Sequence, residues 1–315
     1  MHIVFSEPIG ISSALQADFG QRMTSLGHTV TFYDQQATSN AELAERICTA
    51  NILVLANQPL PAAAVELATQ LQFIAVAFTG VDHLPLELCT QRGIAVANAA
   101  GYSTQAVAEL TIATTIDLLR QVVPLDTAIR RGEGRNGRLG NELRGRTFGI
   151  VGLGAIGQRV AMLAQAFGCR VIAHNRSPKQ CPGVELMPME QLFAKADVVS
   201  LHIPATPQTA QMVDAKLIGL MKPTALLINT ARGSVIDYSA LAEALYNSNI
   251  AGAAIDVYEQ EPPIPANHPM LKTPNTLLLP HIGFATHEAI AHRAQIVIDN
   301  IDAWLNGKSQ NIVNE

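Results

Sequence analysis

Short apolar runs alternate along residues 1 to 97 with stretches in which apolar residues recur every three or four positions. The short runs predict β-strands and the longer stretches predict amphipathic helices. The predicted strands are Ile3 to Phe5, Val30 to Tyr33, Ile52 to Leu55, Phe73 to Ala77 and Ala95 to Ala97. The predicted helices are Ser12 to Leu26, Ala41 to Cys48, Ala62 to Thr69 and Leu86 to Arg92. This alternation indicates a parallel sheet with helices on both faces.

The same alternation returns between Thr147 and Leu279, after a long predicted helix over Gly101 to Gln121. The predicted strands of this region are Phe148 to Val151, Arg170 to Ala173, Val198 to His202, Ala225 to Asn229, Ala251 to Ile255 and Thr276 to Leu279. Six strands with intervening helices are typical of the doubly wound dinucleotide-binding fold. A last amphipathic helix is predicted over Glu288 to Leu305.

We interpret the two alternating regions as two α/β domains, because 315 residues can form two hydrophobic cores. The first domain would comprise residues 1–97 plus 285–315, and the second, residues 98–284, would be inserted into it. In this arrangement the last helix returns to the first domain.

A glycine-rich turn joins the first predicted strand of the second region to a helix. Gly152, Gly154 and Gly157 have the spacing G-x-G-x-x-G, with Ala155 and Ile156 between the last two. Such a turn lets a pyrophosphate approach bare backbone at a helix N-terminus. A glycine-rich turn without a ligand is the alternative, but the strand before it and the helix after it favour dinucleotide binding.

Composition and charge narrow the functional classes. A net charge of −5 gives no reason to expect a nucleic acid or an anionic membrane as partner. The four cysteines form no C-x-x-C pair and no metal-ligand spacing, so we expect reduced thiols, no metal and a cytoplasmic location. No signal peptide and no membrane-spanning run is visible.

Six arginines and five glycines lie between Arg130 and Arg146. This segment could be a basic ligand-binding patch, a solvated loop or part of a subunit interface. A solvated loop is the more frequent outcome for such a run.

An arginine, a carboxylate and a histidine stand at or just after the ends of three predicted strands: Arg232, Glu261 and His281. The carboxyl ends of parallel strands are where doubly wound sheets bind ligands. Arg232 could hold a carboxylate with two parallel hydrogen bonds, and His281 could protonate a carbonyl oxygen. Glu261 would favour the charged imidazole and raise its pKa. Each residue alone is more often structural, but beside a nucleotide motif the three favour reduction of a 2-keto acid.

Six ordered motifs are similar to those of the D-isomer-specific 2-hydroxyacid dehydrogenase family, over essentially the whole chain. They are Thr79-Gly80-Val81-Asp82, Gly101-Tyr102-Ser103-Thr104, the glycine turn, Asn229-Thr230-Ala231-Arg232-Gly233, Ala254-Ile255-Asp256-Val257-Tyr258 and Pro280-His281-Ile282-Gly283. The resemblance implies a flavodoxin-like substrate domain with an inserted Rossmann domain, and a homodimer formed through the Rossmann domain. It also makes Arg232, Glu261 and His281 the catalytic residues.

The resemblance further implies the ligand contacts. Substrate would bind at Gly80, Val81, Arg232 and His281. Cofactor would bind at Thr104, Gly152, Gly154, Ala155, Ile156, Gly157, Asn175, Arg176, Ser177, His202, Pro204, Thr209, Thr230, Ala231, Asp256 and Gly283. Among these, Asp256 would hold the nicotinamide carboxamide.

The residue that follows the second strand of the Rossmann domain bears on the choice of cofactor. NAD-binding domains carry an acidic residue there for the ribose 2′-hydroxyl, whereas this chain has Asn175, followed by Arg176 and Ser177. Arg176 could pair with a 2′-phosphate, or it could be an ordinary surface residue. We therefore predict NADP as cofactor, with NAD as the alternative.

The substrate is predicted to be a small 2-keto acid, either hydroxypyruvate or glyoxylate. Ala56 and Val76 occupy positions where phosphoglycerate dehydrogenases of this family carry arginines for a substrate phosphate. The motif around Gly101 and the stretch His268-Pro269-Met270-Leu271 resemble glycerate dehydrogenases instead. The alternative enzymes are a D-lactate or other 2-keto acid reductase and a D-3-phosphoglycerate dehydrogenase. An alternative of another class is a dinucleotide-sensing, corepressor-like binding protein.

Overall fold

The computed structural model describes residues 1–177, 179–260 and 263–314. Glu261, predicted to be catalytic, lies outside the described residues. The chain divides into two compact units, one formed by Met1–Ser103 with Ala285–Glu315 and the other by Thr104–Phe284. The first division lies at residue 103, six residues beyond the boundary expected from the sequence, and the second lies at residue 284.

The strands and helices follow one another in strict alternation over most of both units. In chain order the strands are β1 (His2–Phe5), β2 (Thr29–Phe32), β3 (Ile52–Leu55), β4 (Phe73–Val76), β5 (Ala95–Asn98), β6 (Thr147–Val151), β7 (Arg170–His174), β8 (Val184–Leu186), β9 (Val198–Leu201), β10 (Leu226–Asn229), β11 (Gly252–Ile255) and β12 (Thr276–Leu278). The helices are α1 (Ser13–Ser25), α2 (Asn40–Ile47), α3 (Ala62–Leu67), α4 (Leu86–Gln91), α5 (Thr104–Arg120), α6 (Val122–Arg130), α7 (Ala155–Ala166), α8 (Met189–Lys195), α9 (Ala215–Ile218), α10 (Tyr238–Tyr246) and α11 (His287–Leu305). Short 3-10 turns lie at Gly233–Val235 and Pro269–Lys272.

The first unit contains a parallel sheet with the strand order β2-β1-β3-β4-β5. This is the flavodoxin-like order, so the fold predicted for this unit is confirmed. Strands β3 and β4 are buried along their whole length, as expected for parallel strands covered on both faces. The last helix, α11, packs on this sheet, where Trp304 stacks on Phe73 with ring centroids 5.1 Å apart.

The second unit contains a parallel sheet with the strand order β12-β11-β10-β9-β6-β7-β8. Counted from β6 as the first strand of this unit, the order is the doubly wound Rossmann order with one strand added at the far edge, which confirms the predicted fold class. Strand β6 lies in the middle of the sheet, between β7 and β9. The turn that follows it therefore opens at the point where the strand order reverses, which is the usual place for a ligand in such sheets.

Two elements were not predicted. Strand β8 has only three residues, two of them exposed, so it has no apolar run to reveal it. The helix predicted over Gly101 to Gln121 ends at Arg120, because Gln121 adopts a left-handed conformation with φ 54°, and α6 begins after it. Residues 131–142 are exposed, as in a solvated loop.

None of the helices in the described ranges is both long enough and apolar enough to cross a membrane.

Candidate active site

The turn after β6 is built so that only glycine fits at two of its positions. Gly152 has φ 98°, and a Cβ atom there would lie 2.4 Å from the backbone oxygen of His202. A Cβ atom on Gly157 would lie 2.0 Å from the backbone oxygen of Gly152. The first glycine is therefore needed for close approach to the β9 segment, and the last for packing helix α7 onto its own turn.

Gly154 differs from these two glycines, because a Cβ atom there would have no atom within 4 Å. It is the N-cap residue of α7, and no side chain caps the helix at this position. Ala155 and Ile156 form the first turn, whose backbone N–H groups have no partner within the helix. Open space beside these donors, at the positive end of a helix dipole, fits the pyrophosphate of a dinucleotide.

The end of β7 is connected to the glycine turn through Asn175. The Asn175 Oδ1 atom accepts a hydrogen bond from the Leu153 N–H at 2.9 Å, and its Nδ2 atom donates to the Ser177 carbonyl at 2.7 Å. The side chains of Arg176 and Ser177 are exposed. The residues predicted to select the cofactor thus lie directly beside the turn predicted to bind it.

His202 follows β9 and carries a buried polar atom. Its Nε2 atom is 2.8 Å from the Ser200 hydroxyl, while its Nδ1 atom is buried without a hydrogen-bond partner among the described residues. Burial lowers the pKa of His202 to about 3, so the imidazole is neutral near pH 7. A buried nitrogen without a partner next to the glycine turn is consistent with a ligand contact.

The loop after His202 closes on itself. The Thr209 hydroxyl donates to the Pro204 carbonyl at 2.7 Å and also contacts the Thr206 side chain. Pro204 and Thr209, both predicted to contact cofactor, therefore belong to one turn at the same edge of the sheet as His202.

The turn after β10 is held by a fully buried asparagine. The Asn229 Oδ1 atom accepts from the Ala231 N–H at 3.1 Å, and its Nδ2 atom donates to the Arg232 carbonyl at 3.0 Å. The Thr230 hydroxyl is 3.0 Å from the hydroxyl of Thr111 on α5. The Arg232 Nη1 atom donates a hydrogen bond of 2.8 Å to the Ala231 carbonyl, which holds the guanidinium against the backbone of the same turn.

The turn after β10 is also pressed against the turn after β11. A Cβ atom on Gly233 would lie 1.9 Å from the carbonyl carbon of Tyr258, so glycine is required there. Burial raises the pKa of Tyr238, and its phenol donates a hydrogen bond of 2.5 Å to the Val257 carbonyl. The Asn229 amide lies 3.5 Å from the same phenol oxygen. Asn229 and Tyr238 had not been predicted as site residues, and a polar residue ending an apolar strand was the available signal for Asn229.

Asp256, at the end of β11, holds the segment that carries His281. It is only 1% exposed, and its two carboxylate oxygens accept hydrogen bonds of 2.7 Å from the Ile282 and Gly283 N–H groups. His281 itself has φ 58°, and its ring packs edge-on against Phe284 with centroids 5.3 Å apart. The left-handed region is strained for a residue other than glycine, so the surrounding contacts must maintain this conformation.

The predicted residues of the second unit line one edge of its sheet. The glycine turn follows β6, His202 follows β9, Arg232 follows β10, Asp256 follows β11 and His281 follows β12, and these strands are neighbours in that order. Thr104 is the first residue of α5, which packs on this sheet. In the first unit, Gly80 and Val81 follow the carboxyl end of β4. The individual roles of all these residues stay predictions.

The polar groups along this edge of the second sheet suit two ligands, an anionic pyrophosphate at the glycine turn and a keto acid near Arg232 and His281. The glycine turn after β6 offers helix N–H groups, whereas Arg232 follows β10, two strands away along the same edge, and His281 follows β12, four strands away. The residues predicted to bind phosphate and those predicted to transfer a proton therefore follow different strands. The cradle of glycines and the buried His202 nitrogen therefore fit a dinucleotide cofactor.

Comparison with known proteins agrees with this geometry. The sequence model described as "D-isomer specific 2-hydroxyacid dehydrogenase, NAD binding domain" matches residues 112–283. A glyoxylate reductase of Thermococcus litoralis is 38% identical over 296 residues, which cover 90% of this chain and 89% of that protein. A glycerate dehydrogenase of Methylorubrum extorquens is 35% identical over 280 residues, which cover 86% of this chain and 88% of that protein.

A solved structure with a related function in its name is similar to this chain in fold as well as in sequence. The NADPH-dependent glyoxylate/hydroxypyruvate reductase of Sinorhizobium meliloti, in complex with NADP and malonate, has a TM-score of 0.85 and 27% identity, covering 99% of this chain and 96% of that one. The family resemblance predicted from six sequence motifs is thereby confirmed. The chain belongs to the D-isomer specific 2-hydroxyacid dehydrogenase family and is an oxidoreductase with an NAD(P)-binding domain.

Proposed function

We propose that this enzyme transfers a hydride between NADP(H) and a small 2-keto acid, with glyoxylate and hydroxypyruvate as the substrates it reduces best. The observation that carries the proposal is the placement of Arg232, Asp256 and His281 after three neighbouring strands, on the same sheet edge as the glycine turn. The names of the relatives from Thermococcus litoralis and Methylorubrum extorquens support the substrate class.

The residues divide the reaction between them. A nicotinamide cofactor held at the glycine turn would supply the hydride for the new C–H bond at carbon 2. Arg232 binds the substrate carboxylate through its planar fork and polarises the neighbouring carbonyl. His281 gives its proton to the carbonyl oxygen, which becomes the hydroxyl, and the imidazole is left neutral. In the reverse direction the neutral imidazole takes the hydroxyl proton.

Asp256 positions the proton donor, because its carboxylate binds the two backbone N–H groups that follow His281. Asp256 is also the residue proposed to hold the carboxamide of the cofactor, because a carboxylate oxygen accepts hydrogen bonds from amide N–H groups. We also keep the proposals that Glu261 acts on His281 as the third catalytic residue and that the Gly80 and Val81 N–H groups receive the substrate carboxylate.

The substrate is proposed to lack a phosphate. Ala56 and Val76, at the positions compared with the arginines of phosphoglycerate dehydrogenases, are apolar and buried, so neither offers a cation. A phosphate bound without a cationic partner would be held weakly. Glyoxylate and hydroxypyruvate are therefore favoured as substrates over phosphohydroxypyruvate, the keto acid of the phosphoglycerate dehydrogenase reaction.

The test is a matrix of four keto acids against two cofactors: hydroxypyruvate, glyoxylate, pyruvate and phosphohydroxypyruvate, each with NADPH and NADH. We expect the highest kcat/KM for one of the first two acids. A higher value for pyruvate or phosphohydroxypyruvate would replace the proposed substrate. Tight cofactor binding without turnover of any acid would instead favour a dinucleotide-sensing protein.

Two variants test the residue assignments in the same assay. His281→Ala should mainly lower kcat, by roughly 100-fold or more, because it removes the proton donor. Arg232→Ala should damage both kcat and KM, because the guanidinium both binds and polarises the substrate. His292→Ala and Arg144→Ala, which change exposed residues of the same types, are the controls and should behave like the parent enzyme.

The preference for NADP(H) is proposed from the end of β7. Asn175 offers no carboxylate to repel a 2′-phosphate, and the exposed guanidinium of Arg176 follows it. Arg176→Ala should weaken NADPH binding far more than NADH binding. Asn175→Asp should move the preference toward NADH, since the aspartate can still accept the Leu153 hydrogen bond while adding a negative charge. Equal kcat/KM for both cofactors in the parent enzyme would contradict the assignment.

A homodimer formed through the Rossmann unit is also proposed. Large apolar side chains are exposed on α6, on the following loop and on α7, including Ile129 at 65%, Leu139 at 75% and Met162 at 56%. Exposed apolar side chains of this size often mark a protein interface. Ile129→Glu should convert a dimer into a monomer in light scattering, whereas Tyr246→Glu, at an exposed position on α10, should not.

We place the enzyme in the cytoplasm, where its four free cysteines would stay reduced.

A further inference from the structure

A buried arginine lies in the first unit, on the buried face of helix α11. Arg293 of α11 is only 5% exposed and lies among Ala289, Ala294 and Val297, which are all buried. Arginine is rarely buried to this extent unless its charge has partners or a function.

The Arg293 side chain is fixed by one carbonyl and two aromatic rings. Its Nη2 atom donates a hydrogen bond of 2.7 Å to the Ile9 carbonyl. Its guanidinium carbon lies 5.0 Å from the centroid of the Phe78 ring and 5.8 Å from that of Tyr102. The two rings are themselves 6.0 Å apart and nearly perpendicular. The guanidinium and the two rings therefore form one packed group in which cation–π attraction acts on both rings.

The charge of Arg293 is retained in this environment. Burial lowers the pKa of Arg293, but the Tyr102 hydroxyl and the carboxylate of Glu7 act in the opposite direction. Arginine has so high a pKa that it stays protonated despite burial. A positive charge is therefore present beneath this edge of the sheet at every physiological pH.

The carboxylate of Glu7, which favours the charged form of Arg293, has hydrogen-bond partners of its own. Its Oε1 atom accepts hydrogen bonds from the Ala56 and Gln58 N–H groups at 2.7 and 3.0 Å, and its Oε2 atom accepts one from Gln36 at 2.6 Å. Glu7 thus holds the loop after β3, whereas Arg293 holds the loop after β4. The two buried charges organise adjacent loops at the carboxyl edge of the first sheet.

Phe78 belongs to the loop proposed to bind the substrate carboxylate. Its carbonyl accepts a hydrogen bond from the Ala99 N–H at 3.0 Å, and the carbonyl of the next residue, Thr79, accepts one from Asn98 at 2.7 Å. Gly80 and Val81 follow immediately. The backbone of this loop is anchored by β5 and its aromatic side chain is anchored by Arg293, so the direction of the next two N–H groups depends on both.

We propose that Arg293 is a positioning residue for anionic substrates: it fixes Phe78 and Tyr102, orients the Gly80 and Val81 N–H groups, and adds a buried positive charge at the carboxylate-binding loop. This inference rests on the proposed function, in which that loop receives the substrate carboxylate. A buried charge acts more strongly than an exposed one, because little water separates it from its target.

The test compares three variants with the parent enzyme. Arg293→Met removes the charge and keeps much of the volume, and Arg293→Lys restores a charge. Arg22→Met is the matched control, because Arg22 also lies 5.4 Å from an aromatic ring, that of Phe19, and also contacts α11, through Asp302 at 2.7 Å. Arg22 lies in the last turn of α1, far along the helix from the Ser12 end that adjoins Ile9.

Arg293→Met should raise the KM for glyoxylate about tenfold while kcat stays within about threefold, because the substrate is bound less well but the proton donor is unchanged. The KM for methyl glyoxylate, an uncharged ester, should change by less than about twofold. Arg293→Lys should recover most of the affinity for glyoxylate. NADPH affinity should be unchanged in all variants, and Arg22→Met should lower the melting temperature without altering either KM.

A second measurement keeps the inference testable apart from turnover. Oxamate, an unreactive 2-keto acid analogue, can be titrated calorimetrically into the enzyme saturated with NADPH. Weaker oxamate binding by Arg293→Met would support the inference even if the parent enzyme reduced none of the keto acids, which would refute only the proposed function. Parent-like KM and oxamate affinity in Arg293→Met, or equal losses for glyoxylate and its ester, would overturn the role of Arg293.

Discussion

Asp256 is a buried carboxylate that fixes the backbone next to His281, the residue proposed as the proton donor. Both of its oxygens are bound to backbone N–H groups that follow His281, and the histidine is thereby kept in a left-handed conformation. Hydrogen bonds to a charged acceptor are each stronger than neutral ones, and each contributes about 1.5 to 3 kcal/mol to stability. The conformation of His281 therefore depends on the charge of Asp256.

Asp256→Asn should lower kcat/KM by about 100-fold, because the amide nitrogen would face one of the two N–H groups and the His281 segment would shift. The matched control is Asp237→Asn, because Asp237 also accepts two backbone N–H bonds, of 3.0 and 3.1 Å, but at the start of α10. Steady-state kinetics and thermal unfolding should separate the two variants. If Asp237→Asn lost as much activity as Asp256→Asn, a general loss of stability would explain both.

At the scale of single residues, the sequence singles out groups with distinctive chemistry more easily than those that support them. Arg232 and His281 follow predicted strands and carry charge or a titratable ring, so they could be singled out, and their roles stay predictions. Asn229, Tyr238 and Gly233 act through contacts between separate turns, such as the approach of Gly233 to the Tyr258 backbone. Those contacts depend on how β10 and β11 are paired, which local sequence patterns do not specify.

At the scale of elements, the turn from β6 to α7 contains one glycine that packing requires and one that faces open space. Gly157 is packed against the Gly152 backbone, whereas Gly154 faces open space and has φ −64°, a value that any residue can adopt. The motif gives all three glycines the same weight, but the structure assigns them different constraints. Two alanine substitutions can therefore test them separately.

Gly154→Ala should leave the melting temperature nearly unchanged and raise the Kd for NADPH by at least about tenfold, because the methyl group occupies space open to the pyrophosphate. Gly157→Ala should destabilise the second unit by several kcal/mol, roughly the cost of forcing a methyl group into packed backbone. Thermal unfolding without cofactor and fluorescence titration with NADPH measure the two effects. A normal NADPH affinity in a stable Gly154→Ala enzyme would show that the anion binds elsewhere.

The elements themselves were predictable wherever an apolar run or a helical period was long enough. The buried strands β3, β4, β9 and β10 coincide closely with apolar runs in the sequence. Strand β8 and helix α6 were missed, because β8 is short and exposed and α6 follows α5 after a single left-handed residue. Tertiary contacts rather than local pattern determine such elements.

At the scale of the whole molecule, alternation and order were sufficient to predict an inserted domain. Each sheet reverses its strand order at its first strand, β1 in the first unit and β6 in the second. Residues that were singled out from the sequence follow the carboxyl ends of β4 and β5 in the first sheet and of β6, β9, β10, β11 and β12 in the second. The chemistry of the enzyme is therefore distributed over turns that are distant in sequence but equivalent in topology.

Buried ionisable groups connect this architecture to the pH dependence of stability, and His202 has the clearest effect. Its folded-state pKa is lowered to about 3 by burial, whereas an unfolded histidine titrates near pH 6.5. Between these values the unfolded chain binds a proton that the folded chain does not. The contribution of His202 to the free energy of unfolding should therefore be constant above about pH 6.5 and fall below it by up to about 1.4 kcal/mol per pH unit.

His202→Gln tests this prediction, since the glutamine amide can still reach the Ser200 hydroxyl but does not titrate. Between pH 7.5 and pH 5.0 the parent enzyme should lose about 1 to 2 kcal/mol more unfolding free energy than the variant, because His202 is partly exposed and the full shift is not realised. Urea denaturation at the two pH values measures the difference. His292→Gln, at an exposed position on α11, should lose as much as the parent; an equal loss in His202→Gln would show that other groups cause the acid sensitivity.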